Sequence, residues 1–219
     1  MYKIIHSLSK ENKFTYLFFF CLVISLSFSA FKNPVEITDE DWVLINGVKW
    51  ATRNVDMPGA FAANPEDAGM YYQWNRKVGW STTDPIVNSD GGTEWDYPED
   101  ECVIWEKHND PCPEGWRVPT ETEIQSLTSV RVNRVWTTEN GVNGCRFTDI
   151  SSGNSIFLPA AGYRYSGNGT LVNVGISGFY QSNTQCTATS AYIMFLNRSY
   201  PIVDFWGKES GNSIRPVAE

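Results

Sequence analysis

Histidine is nearly absent from this sequence. Only His6 and His108 occur in 219 residues, too few for a histidine-built metal site. A Ser-His-Asp arrangement would have to recruit His108 from a Pro-bounded loop, with Asp110 two residues on. Positive charge is also scarce: 17 Lys and Arg stand against 25 Asp and Glu, a formal net charge of −8. That balance argues against nucleic acid and against anionic membrane surfaces as partners. None of the five cysteines shows the two-residue gap of a zinc knuckle, so neither a metal nor another cofactor is expected. After residue 28 no second apolar run reaches membrane-spanning length, and no internal repeat or low-complexity tract is found.

The N-terminus has a clear pattern. Lys3, Lys10 and Lys13 precede an apolar run from Phe14 to Phe28, and small residues follow at Ser27, Ser29 and Ala30. Charge, then hydrophobe, then small residues is the order of a secretory signal peptide, and the run is shorter than the ~20 residues a spanning helix needs. Residues 1–29 are therefore expected to be a signal peptide cleaved after Ser29, with a retained N-terminal anchor as the alternative. Cys21 is a poor lipoprotein cysteine, because three Phe precede it. The expected location is secreted or on the outer cell surface, with the periplasm as a second possibility and no membrane insertion once the signal is removed. Residues 1–29 carry three Lys and Glu11, which leaves the remainder at a net charge of −10.

Four cysteines remain: Cys102, Cys112, Cys145 and Cys186. In an exported chain an even count predicts two disulfides. Sequence does not separate the three pairings; Cys102 with Cys112 and Cys145 with Cys186 is preferred.

Residues 30–41 read as a linker, with Pro34 and the acidic run Asp39-Glu40-Asp41, and residues 42–219 as one domain. Asn46-Gly47 between Val43-Leu44-Ile45 and Val48-Lys49-Trp50 predicts a β-hairpin, since both turn positions need positive φ. The stretch from Pro58 to Pro113 is rich in Pro, Gly, Asp and Asn, yet carries Tyr71, Tyr72, Trp74, Trp80, Trp95, Tyr97 and Trp105. Such aromatic content predicts an ordered loop packed by its own rings. Thr120-Glu121-Thr122-Glu123 is a capping box after Pro119, and Ile124, Leu127 and Val130 would form the apolar face of the helix it opens. Strands are predicted at residues 132–137, 156–159, 178–182, 191–196, 202–206 and 213–217. The fold class is α+β with a mainly antiparallel sheet of short strands, one or two helices and long ordered loops.

Four motifs occur in order: Trp42 to Val55, ending Trp50-Ala51-Thr52-Arg53-Asn54-Val55; Cys112 to Glu123; Phe157-Leu158-Pro159-Ala160-Ala161-Gly162-Tyr163-Arg164; and Gly211-Asn212-Ser213-Ile214-Arg215-Pro216-Val217. Together they resemble the Fibrobacter succinogenes major paralogous domain family, abundant also in exported and surface proteins of gut Bacteroidota. The resemblance covers nearly all of residues 42–219. It implies a C-type lectin-like fold, shared with formylglycine-generating enzymes, whose Arg-Leu-Pro-Thr-Glu-x-Glu run is similar to Arg117-Val118-Pro119-Thr120-Glu121-Thr122-Glu123. A shared fold does not carry an activity with it.

Nothing in the chain supplies nucleophile, base and orienting group together, so a non-enzymatic role is expected. The enzymatic branch of that fold uses paired late cysteines as copper ligands and redox groups, but Cys145 and Cys186 sit in no such motif here. Calcium-dependent lectins of the fold use Glu-Pro-Asn or Gln-Pro-Asp with a following Trp-Asn-Asp, and neither is in place. Asp84, Asp90, Asp96, Glu99, Asp100 and Glu101 lack a ligand spacing and read as a solvated loop. The resemblance instead implies a binding module that recognises a glycan or a surface protein through residues 163–180. Its candidate contacts are Tyr163, Arg164, Tyr165, Phe179 and Tyr180, with Gly167, Gly169, Gly175 and Gly178 freeing the backbone between them. Tyr163 and Tyr165 are expected to share a face. The competing reading is a structural or tip subunit of a surface assembly that buries the same loops against a neighbour. Trp50, Trp116, Trp136 and Phe157 are assigned to the core.

Overall fold

The computed structural model describes residues 41–96 and 103–219. The expected signal peptide, nearly all of the linker, and Tyr97, Glu99, Asp100, Glu101 and Cys102 lie outside the described residues. Asn46 and Gly47 adopt φ of 46° and 84°. Both central positions of the turn are thus left-handed, which matches the strand twist and closes β1 (Trp42–Ile45) onto β2 (Val48–Ala51) with Ile45 opposite Val48. Next come two short pairs of residues, β3 (Tyr71–Tyr72) with β4 (Gly79–Trp80), and then β5 (Trp116–Arg117).

The helix α1 spans Glu121–Ser126 and opens on the expected capping box. Thr120 Oγ1 accepts from the Glu123 amide at 3.2 Å, and Glu123 Oε2 accepts from the Thr120 amide at 2.8 Å. Burial opposes ionisation of Glu123, but hydrogen bonds from Arg117 and Thr120 outweigh it and hold the carboxylate below its usual range. The helix is shorter than its apolar spacing predicts. Ser126 and Thr128 donate their hydroxyls to the carbonyls of Glu123 and Gln125, competing with further helical turns, and Val130 is 91% exposed rather than on a buried face.

Three long strands follow: β6 (Val132–Glu139), β7 (Val142–Asp149) and β8 (Ser155–Pro159), paired antiparallel in that order. Sequence reasoning missed β7. Asn143 and Gly144 inside it are turn-forming residues, yet the turn is Asn140-Gly141, again with both φ positive at 48° and 85°. Gly144 is needed for contact: a Cβ there would stand 2.4 Å from the Leu158 carbonyl oxygen and 2.5 Å from the Phe157 ring. Another two-residue pair, β9 (Tyr163–Arg164) with β10 (Leu171–Val172), leads to the sheet β11 (Ser177–Gln185), β12 (Ser190–Asn197) and β13 (Ile202–Gly207), also antiparallel in that order. Of the predicted strand at 213–217 only β14 (Val217–Ala218) pairs as one, because Pro216 lacks an amide donor and Arg215 is drawn into the interior. β14 lies between β2 and β5, giving the order β1-β2-β14-β5.

The described residues belong to one compact unit, with α1 as their single α-helix. Its main core joins Ile45, Trp50 and Val217 from the first sheet with Phe147, Ile156 and Leu158 from the second, and Tyr180, Met194 and Leu196 from the third. Ile124 of α1 and Leu127 just after it complete it. Trp50, Trp116 and Phe157 are buried as expected, while Trp136 is partly buried against this core. The loop between Pro58 and Pro113 is packed by its own rings: Tyr71, Tyr72, Trp74 and Trp80 are buried, with Trp80 at 4.8 Å from Trp95 and Trp74 at 5.6 Å from Trp105 between ring centroids. Among the described residues no helix is long and apolar enough to cross a membrane.

Candidate binding surface

Strand alternation divides the five expected contact residues. Along 163–165 successive side chains take opposite sides, so Arg164 points away from Tyr163 and Tyr165. It is fully buried, and all its donors are used. Nε donates to Ser81 O at 2.8 Å, Nη1 to Gly169 O at 2.6 Å and Asp84 Oδ1 at 3.2 Å, and Nη2 to Thr83 O at 2.7 Å and Ser81 Oγ at 3.1 Å. Arg164 is therefore a clamp on the 81–84 loop, and the expectation that it contacts ligand is corrected.

Phe179 and Tyr180 split in the same way. Tyr180 shares its face with Met194 and Val203, in register across the sheet, and enters the core, where its hydroxyl donates to Pro159 O at 2.7 Å. Burial pushes that phenol well above its ordinary range. Tyr180 is thus a core residue and not a ligand contact. Phe179 takes the opposite face, in register with Phe195 and Ile202. It is only 3% exposed, because other rings cover it.

Those rings form the surface. Tyr163 lies 4.6 Å from Phe179 and 5.5 Å from Trp206; Phe179 lies 5.0 Å from both Phe195 and Trp206. The pairs are tilted or edge-on, the arrangements that ring quadrupoles favour. Tyr163, Phe195 and Trp206 are half-buried, with Tyr165 and Ile202 exposed. Burial, then the nearby Tyr165, raises the Tyr163 phenol above its usual range, so the two tyrosines are neighbours. The Trp206 Nε1 donor is buried and has no hydrogen-bond partner among the described residues. Sequence reasoning placed Phe195 and Trp206 in strands without assigning them to the site. The available signal was register: once β11, β12 and β13 are paired, alternation alone puts Phe179, Phe195 and Trp206 on one face. Comparison with family models, with curated proteins and with solved structures finds no match.

The cysteines do not form the expected pair. Cys145 is buried in β7 against the main core, Cys186 follows β11 beside Tyr192, and both are free thiols, as is Cys112. Burial pushes the Cys145 thiol up to about 11 and raises that of Cys112 as well, which keeps both protonated at neutral pH. His108 lies on a 3-10 turn (Lys107–Asn109), mostly exposed, with Nε2 3.3 Å from Glu106. Asp84 is engaged by Arg164, and among the described residues no group of three or more His, Cys, Asp or Glu could hold a metal.

A second depression, about 620 Å³, lies between the β1–β2 turn, the segment after α1 and the β7–β8 turn, and is lined in part by Leu44, Val130 and Ile150. Asp149 at its side accepts from the amides of Asn46 at 2.7 Å, Ser151 at 2.8 Å and Ser152 at 3.2 Å, and from Ser151 Oγ at 2.6 Å. The Ser151 hydroxyl and these amides hold its carboxyl well below the usual carboxylate range, so it ties two turns together and stores no proton. Because the folded-state value is depressed, its contribution is complete above the ordinary carboxylate pKa and is lost as pH falls below it toward the depressed value. Asp149→Asn should lower the melting temperature at neutral pH, with the gap to wild type closing on acidification. A gap that stays constant from pH 7 to pH 2 would refute this role.

Proposed function

We propose that this chain is an exported binding module of C-type lectin-like fold, which takes a glycan on the surface formed by Tyr163, Phe195 and Trp206 with Tyr165 at its rim. The observation that carries the reading is the packed four-ring cluster, with three of its rings half open to solvent on one face of β11–β13. Apolar ring faces match the C–H faces of sugar rings, and aromatic residues with one polar end suit a surface that is both apolar and wet. The N-terminal charge-then-hydrophobe pattern favours an exported location. The largely antiparallel short-strand architecture is compatible with the lectin-like fold.

The test is binding of the full chain, purified in mild detergent, to a broad glycan array with calcium and again with a chelator. Binding should survive the chelator. Tyr165→Ala and Tyr163→Ala should each weaken it about tenfold, the loss of one stacked ring. Tyr165, 49% exposed, can be truncated with little cost to the fold. Sugar binding unaffected by either variant would move the site elsewhere; no binding to any sugar would end the glycan reading and leave a protein ligand for the same surface.

A further inference from the structure

The third sheet has an open edge. β13 pairs with β12 on one side, and among the described residues no strand pairs with its other side. Lys208 N donates to Thr189 O at 3.0 Å, continuing the register in which Gly207 faces Ser190. Bonded and non-bonded pairs alternate along an antiparallel ladder, so Trp206, Asp204 and Ile202 turn their backbone groups toward β12. Val203, Phe205 and Gly207 turn theirs outward. Natural edges are blunted by lysine, proline, bulges or cover. The sequence Ile-Val-Asp-Phe-Trp-Gly has none of the first two within it, and its register with β12 is unbroken from Ile202 to Gly207. β6, at the edge of the second sheet, carries Arg134 by contrast. Large apolar side chains flank the β13 edge on both faces: Ile202 is 42% exposed on the ring-bearing face and Phe205 56% on the other. The one charge is Asp204, and its carboxylate accepts from the outward Phe205 amide at 2.9 Å.

We infer that the β13 edge is a docking site for an extended segment of another protein, which adds as a fourth strand with a Lys or Arg opposite Asp204 and apolar residues on either side of it. Val203 and Phe205 each offer an outward donor and acceptor, so two partner residues exchange four backbone hydrogen bonds with them. Their side chains fall on the face of Phe205 and cover it. The residue between them falls on the Asp204 face, where a cation replaces the amide that Asp204 releases. A second copy of the chain fits poorly. Its net charge is −8, and pairing that uses Val203 and Phe205 of both copies sets one Asp204 directly opposite the other. This site uses edge backbone rather than ring faces, so it stands apart from the glycan reading.

The probe is a capped heptapeptide, Thr-Thr-Val-Lys-Val-Thr-Thr, titrated into the full chain and read by amide NMR shifts and hydrogen exchange at Val203, Phe205 and Gly207. Saturable binding with protection of those amides is expected. N-methylation of the two Val residues of the peptide removes the donors that face the edge and should weaken binding roughly tenfold or more, while N-methylation of its Lys, whose amide faces away, should not. Phe205→Pro removes an outward donor at an exposed position and should have the same effect as N-methylation of the Val residues. Asp204→Lys should reverse the preference, favouring a peptide with Glu in place of Lys. The peptide pair keeps the test decisive even if Phe205→Pro fails to fold, because the protein is then unchanged. Absence of binding, binding indifferent to which amide is methylated, or self-association of the chain that Phe205→Pro abolishes would each overturn the proposal.

Discussion

Arg215→Met should cost about 4–5 kcal/mol, a large part of the roughly 5–15 kcal/mol that holds a typical domain together. The guanidinium is 1% exposed, and among the described residues it has no carboxylate as a hydrogen-bond partner. Nε donates to Asn54 Oδ1 at 2.8 Å, Nη1 to Ala51 O at 3.2 Å and Thr52 O at 2.5 Å, and Nη2 to Phe157 O at 3.1 Å and Pro65 O at 3.3 Å. One planar fork thus ties the end of β2, the segment after it and β8 together. Burial lowers its pKa to about 10, still cationic at neutral pH. Methionine keeps much of the volume but leaves these acceptors without their donor, each buried orphan costing about 1–3 kcal/mol before relaxation and water entry reduce the sum. Lysine presents three donors from a single point and cannot span the same acceptors, so Arg215→Lys should recover only a minor part. Urea denaturation measures both. A lysine variant within about 1 kcal/mol of wild type would show that charge, not the planar fork, is what the site requires.

Arg164→Met should act more locally, with a loss of about 2–4 kcal/mol and faster hydrogen exchange concentrated in residues 81–96. Its partners are loop carbonyls and a hydroxyl, plus Asp84, whose side chain is 65% exposed. Solvent screening leaves such an ion pair worth little, so the neutral hydrogen bonds dominate. Asp84→Asn is accordingly expected to fall within about 0.5 kcal/mol of wild type. If Asp84→Asn instead matched Arg164→Met in exchange rates and in urea, the clamp would be the ion pair after all.

Arg164 also marks where sequence reading reached its limit. Tyr163-Arg164-Tyr165 reads as three contact residues because the resemblance implies a ligand surface over residues 163–180 without separating the two faces of the chain there. Only the backbone path decides which of them face inward, and that path depends on bridges from Gly162 to distant Gly178 and from Arg164 to distant Gly211 that no local pattern encodes. Local chemistry was legible. Asn46-Gly47 fixed its hairpin and Thr120 to Glu123 fixed the start of α1, since both signals are satisfied within a few residues. The identical signal at Asn140-Gly141 was masked by Asn143 and Gly144, which are turn-formers in isolation and strand residues here because Phe157 and Leu158 press against the backbone. The end of α1 was misjudged for a related reason: the 124, 127, 130 spacing suits a longer helix, while serine and threonine hydroxyls end it at Ser126. The disulfide expectation came from cysteine number and compartment alone. Cys145 and Cys186 were assigned together without knowledge that one faces the core from β7 and the other lies beyond β11.

The placement of β14 governs when this domain can form during synthesis. Val217 stands between Trp50 of β2 and Arg117 of β5, so the two older strands have no partner along that side until residues 217–218 have been made. A chain emerging from the ribosome N-terminus first leaves that side of β2 open while residues 52–216 are made, and that of β5 while residues 118–216 are made, and closure across so long a separation is slow.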